Sequence, residues 1–154
     1  MTALHRRAVL TGALALAAAT APLASALAGK APIYQTRRGV AVDGTDVVAY
    51  FTQGRPVAGS PEFTAEWNGS TWQFSSAANR DVFRANPARY APQFGGYCAW
   101  AVSQGYTAST TPEAWEIVDG KLYLNYSRGV HRRWSRDKAG NIASARRNWP
   151  SVLN

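Results

Sequence analysis

The chain is short of the residues that bind metals and carry out nucleophilic chemistry. Its 154 residues include one cysteine, one methionine and two histidines. A lone cysteine excludes an intramolecular disulfide, so stability has to come from packing. His5 falls in an N-terminal leader described below, which leaves Cys98 and His131 as the only thiol and imidazole beyond it. One of each cannot complete the four-cysteine set of a closed zinc site, or the set of two cysteines and two histidines. Acidic residues are also scarce, nine against 17 basic ones, for a formal charge of +8. Asp46, Glu66, Asp81, Glu113 and Glu116 are scattered singly, so spacing assigns no carboxylate pair to acid–base work. Gly-rich phosphate loops and Ser-x-x-Lys motifs are absent from the sequence, and composition makes no positive case for an enzyme. No segment after the leader is apolar over the roughly 20 residues that a membrane-spanning helix needs.

What is present begins with the leader, residues 1–28. Arg6-Arg7-Ala8-Val9-Leu10 precedes the alanine-rich run from Ala13 to Ala21. Paired arginines before a mildly hydrophobic run look like a twin-arginine signal, with an ordinary secretory signal as the alternative. Ala24-Ser25-Ala26 and Ala26-Leu27-Ala28 each offer a small-x-small cleavage site, after residue 26 or 28. Either route predicts a periplasmic or secreted protein that is not transmembrane once the signal is removed. The leader holds two of the 17 basic residues and no acidic one, so the remainder keeps a charge of +6. Such a charge would suit nucleic acid in a cytosolic protein, but export argues against that ligand. Residues 29–154 have the length of one domain with its own core. Six tryptophans and seven tyrosines supply the area to build it.

Along that domain, Lys30 to Arg38 reads as an extended basic lead-in, and Val40 to Phe51 as one or two short strands. Gly54-Arg55-Pro56 and Gly59-Ser60-Pro61 read as loops. Phe63–Trp67 and Thr71–Phe74 alternate around Asn68-Gly69, and Trp115–Val118 and Leu122–Asn125 flank Asp119-Gly120. Both are hairpin signals, because those turn residues accept positive φ. Ser75 or Ser76 predicts a helix cap, with Val82 and Phe83 turning the apolar side of that helix onto the sheet. Asn86-Pro87 ends this helix and starts a second short turn. Gly95–Val102 is ambiguous between helix and strand, and its small residues tilt the reading to a short helix. Ser127 predicts the cap of a helix bearing Val130 and Trp134 on one face, and Asn141–Trp149 a last helix. The expected fold class is α+β: a small antiparallel sheet built from hairpins, with short helices packed on it.

Phe74, Ser76, Arg80, Phe83, Asn86, Pro87 and Tyr90 match, at the right spacing, a pattern of Phe-Cys-Ser-x-x-Cys-Arg-x-x-Phe followed by Asn-Pro and Tyr. In these residues the chain resembles the YHS domain family. It is similar, more closely, to secreted bacterial YHS-domain proteins. The shared features are the opening Asp46-Val47-Val48-Ala49-Tyr50-Phe51, the segment Gly95-Gly96-Tyr97-Cys98 and the hairpin Trp115–Asn125. The resemblance implies a small binding or accessory domain, with metal handling as the associated role. Metal-linked members place cysteines where this chain has Ala49, Ser75 and Asn79, so their thiol site does not carry over.

Three functional readings follow. The first is a non-catalytic exported binding module. Any metal role would be anchored on Cys98, with His131 as second ligand, in a low-coordinate copper(I) site or one shared between two molecules. Against it, Cys98 lies between Tyr97 and Ala99-Trp100, a setting that predicts a buried thiol acting as a small hydrophobe. The second is a docking or structural module of the envelope that contacts an anionic protein or membrane surface. Its basis is the basic cluster Arg128, Arg132, Arg133, Arg136 and Lys138, with Arg146 and Arg147 beyond; the plainer reading of that cluster is a solvated face. The third is a Cys98/His131 enzyme, for which no oriented base or oxyanion hole is legible.

Overall fold

The computed structural model describes residues 29–154, and the expected twin-arginine leader, residues 1–28, lies outside them. Fold class is as expected, α+β, but the two hairpins do not join. Strands β1 (Ser60–Trp67) and β2 (Ser70–Phe74) form one antiparallel pair, and β3 (Trp115–Val118) and β4 (Lys121–Leu124) form another. Both turns are built as their sequences dictate. Asn68 and Gly69 take φ of 50° and 77°, and Asp119 and Gly120 take 50° and 71°. Ser60-Pro61, expected in a loop, starts β1 instead. The register shifts between Ser60 and Thr64, and this irregularity accommodates a proline with no N–H to give the ladder.

Val40–Phe51 is the largest departure. A tight turn at Val42–Gly44 leads into helix α1 (Val47–Thr52), where strands were expected. Valine pairs favour strands only as a weak prior, and here the cap prevails. The Asp46 carboxylate accepts from the backbone N–H groups of Val48 and Ala49, and Val47 and Val48 are fully buried on the helix so started. Extended pairing survives only as single bridges, Gln35 with Ala41, Val40 with Thr71 and Thr45 with Ala58.

Helix α2 (Ala77–Ala85) is capped by Ser76, whose hydroxyl accepts from Asn79 N–H at 3.1 Å. Phe83 turns inward and is buried against Trp67, Trp72 and Phe74, with ring centroids 5.0–6.0 Å away. Val82, expected beside it in the core, is 41% exposed. Adjacent helical residues point about 100° apart, and so short a helix buries a single stripe. Asn86 ends α2 and Pro87 opens α3 (Pro87–Tyr90) as expected, although the Asn86 side chain makes no cap bond.

Helices α4 (Ala99–Ser103), α5 (Arg128–Trp134) and α6 (Lys138–Asn148) complete the chain, with α5 capped by Ser127. Two buried clusters hold these elements. One gathers α1, the first hairpin and Phe83; the other gathers Phe94, Tyr97, Val102, Trp134 and Ile142. Strand β4 divides them. Alternation sends Leu122 and Leu124 into the first cluster and Tyr123 into the second, so both faces of this short strand are buried. No helix among the described residues is long and apolar enough to cross a membrane.

Candidate binding site

The structure brings together the three motif positions that depart from the family pattern. Asp46 is fully buried, and its carboxylate accepts five hydrogen bonds. Two come from the α1 backbone at Val48 and Ala49. The other three come from Ser75 N–H (2.8 Å), Ser75 Oγ (2.6 Å) and Asn79 Nδ2 (2.8 Å). The Ala49 N–H and the Ser75 and Asn79 groups therefore converge on one carboxylate, to which all of them present hydrogens. Five donors saturate its lone pairs, and the cluster acts as a hydrogen-bonded lock between α1 and α2.

The remaining motif residues build the scaffold. Tyr50 lies in the core against Trp115, donates its hydroxyl to Pro112 O at 2.8 Å, and has its phenol pKa pushed up by burial. Tyr90 meets Phe51 edge-on at 5.3 Å, with Arg89 over both rings. Arg80 bonds Asp81 at 2.9 Å. Gly95 and Gly96 both have positive φ, and a Cβ on Gly95 would run into the Pro32 carbonyl. Tyr97 donates to Ala31 O at 2.9 Å.

Cys98 and His131 take different partners. Cys98 is 1% exposed; its Sγ lies 3.7 Å from Asn125 Oδ1 and accepts from Ala101 N–H and Tyr126 N–H. Burial pushes the thiol pKa up, outweighing backbone donors that favour the thiolate. His131 Nε2 instead meets Glu116 Oε2 at 2.9 Å, and its ring stacks on Trp134. Lys138 bonds the other Glu116 oxygen, and Ser135 Oγ lies 3.4 Å from Oε2. Burial works to raise the Glu116 pKa, but the bonds from Lys138 and His131 together hold it below its ordinary value. No group of three or more His, Cys, Asp or Glu side chains disposed around a metal occurs among the described residues.

The concavity nearest these residues is an apolar pocket of about 210 Å³ beside α5. Trp100, Tyr106, Tyr126 and Val130 line it together with Cys98, of which little surface is open. Tyr106 and Tyr126 are 46% and 54% exposed, among the few large apolar side chains left open to solvent. Tyr106 meets Trp100 edge-on, and the Arg133 guanidinium lies 5.1 Å over the Trp100 ring. Along α5 and the turn after it Arg128, Arg132 and Arg136 are also exposed, and none of the four has a carboxylate within ion-pair distance among the described residues. Lys138, in contrast, is paired with Glu116. The expected i, i+4 row from Arg128 through Arg136 is interrupted, because α5 gives way to a tighter turn at Ser135–Asp137. Sequence reading singled out the arginines and missed the tyrosines. The available signal was aromatic residues in the loops flanking a basic helix. Comparison with family models, with curated proteins and with solved structures finds no match.

Proposed function

We propose that the chain is an exported, non-catalytic, YHS-like binding module that docks on an acidic protein surface of the cell envelope. The observation that carries this reading is the Tyr106–Tyr126 pocket, whose Trp100 wall lies under the guanidinium of Arg133, an exposed arginine with no carboxylate within ion-pair distance among the described residues. An apolar hollow bordered by exposed charge is the usual anatomy of a protein contact. Concavity favours a protein over a bilayer, since a 210 Å³ hollow is suited to receiving a protruding side chain. Metal handling, the role suggested by the family resemblance, gains little support from Cys98, whose sulfur is buried and engaged by backbone donors.

The test is a photo-crosslinking side chain at position 126, used in cells. One discrete protein adduct is expected, and Arg133→Glu should strongly reduce it while the melting temperature holds. Absence of any adduct, together with tight binding to phosphatidylglycerol vesicles, would overturn the protein reading and assign the face to the membrane.

A further inference from the structure

A second concave surface shares no lining residue with the α5 pocket. Two adjoining hollows of about 280 and 260 Å³ meet along Trp67, Pro92 and Trp149. Trp67 packs on the first buried cluster and Trp149 on the second, so the cleft runs along their seam. Each indole is half-buried and has part of its surface in the cleft. Arg146 and Gln93 line one hollow, and Asn68 lines the other. No acidic residue lines either. Among the described residues Arg146 has no carboxylate within ion-pair distance. The side-chain amides of Gln93 and Asn68 likewise make no hydrogen bond to other described residues.

We propose that this cleft binds an acidic oligosaccharide, one sugar ring to each hollow. The chemistry is read from the lining. The negative face of an indole attracts the polarised C–H face of a pyranose ring, and both indoles border both hollows. Gln93 and Asn68 offer amides that can both donate to and accept from hydroxyls. Arg146 supplies a planar fork for a carboxylate, in a strongly basic molecule that would draw an anion in. A flat aromatic acid would use Arg146 and one indole but leave Asn68 in the other hollow idle. Polar groups in both hollows fit a ligand with hydroxyls along its length.

The probe is trigalacturonate, compared with its fully methyl-esterified form. Binding is followed by NMR at the indole N–H signals, with affinity from titration. Trigalacturonate should shift the Trp67 and Trp149 signals and leave that of the buried Trp134 unmoved. The ester should bind about tenfold more weakly, the worth of one charge-assisted contact. Arg146→Gln, at an exposed position, should reduce trigalacturonate affinity to that of the ester and leave the ester unchanged. Gln93→Ala should weaken both. The proposal is overturned if millimolar trigalacturonate moves neither indole signal, if acid and ester bind alike, or if indole-3-acetate binds as tightly as the trimer.

Discussion

Asp46 is a fully buried carboxylate whose five bonds all come from uncharged donors. Its importance lies less in any single bond than in what its loss would strand. In Asp46→Asn one oxygen becomes an NH2 group. That group must face either the two α1 N–H groups or the three donors from Ser75 and Asn79. At least two buried donors then lose their acceptor, at about 1–3 kcal/mol each. Urea denaturation should therefore show a loss on the order of 3 kcal/mol, with an unchanged slope. A loss below about 1 kcal/mol would mean that the lock is dispensable. Cys98 shows the same principle from the other side. Its neighbours Gly95, Gly96 and Tyr97 set backbone path and packing, while the thiol caps α4 through Ala101 N–H.

At the scale of elements, α2 divides sharply into an inner and an outer face. Phe83 touches three aromatic rings and is fully buried, whereas its neighbour Val82 is 41% exposed. Phe83→Ala should cost about 3–5 kcal/mol through lost burial and the cavity left behind. Val82→Ala should stay within about 0.5 kcal/mol, since little burial is lost and alanine is the better helix former. Thermal or urea unfolding of the pair checks both, and comparable losses would contradict the orientation of α2. The second hairpin is an element with two duties. Its inner strand β4 serves both buried clusters, and its outer strand β3 carries Glu116 to the start of the C-terminal helices.

Across the whole molecule, Glu116 ties that hairpin to α5 and α6 through His131 and Lys138. Its folded-state pKa lies below the ordinary 4.5, so the tie stabilises fully above that value and is lost as pH falls through the lower folded value. As pH falls below the ordinary carboxylate value the wild type should lose stability more steeply than Glu116→Gln, which begins less stable at neutral pH. Asp81 is also lowered, chiefly by its bond from Arg80, but it is common to both proteins and cancels in the comparison. Parallel stability profiles in the two proteins would show that Glu116 contributes no such tie.

What the sequence determined by itself was local. Asn68-Gly69 and Asp119-Gly120 specify their turns, and Ser76 and Ser127 their caps, because each signal acts within three or four residues and needs no distant partner. These suffice for an α+β class and for the positions of most elements. Tertiary structure decided the rest. Val47-Val48 became helical because Asp46 caps them while also bonding Ser75 and Asn79, about thirty positions on. The hairpins stayed apart as two sheets, and β4 came to lie between two clusters with both faces buried. His131 met Glu116 rather than Cys98, and Tyr106, Tyr126, Trp67 and Trp149 came to line hollows. Those outcomes depend on which distant surfaces pack together, and a single sequence carries no periodicity that records it.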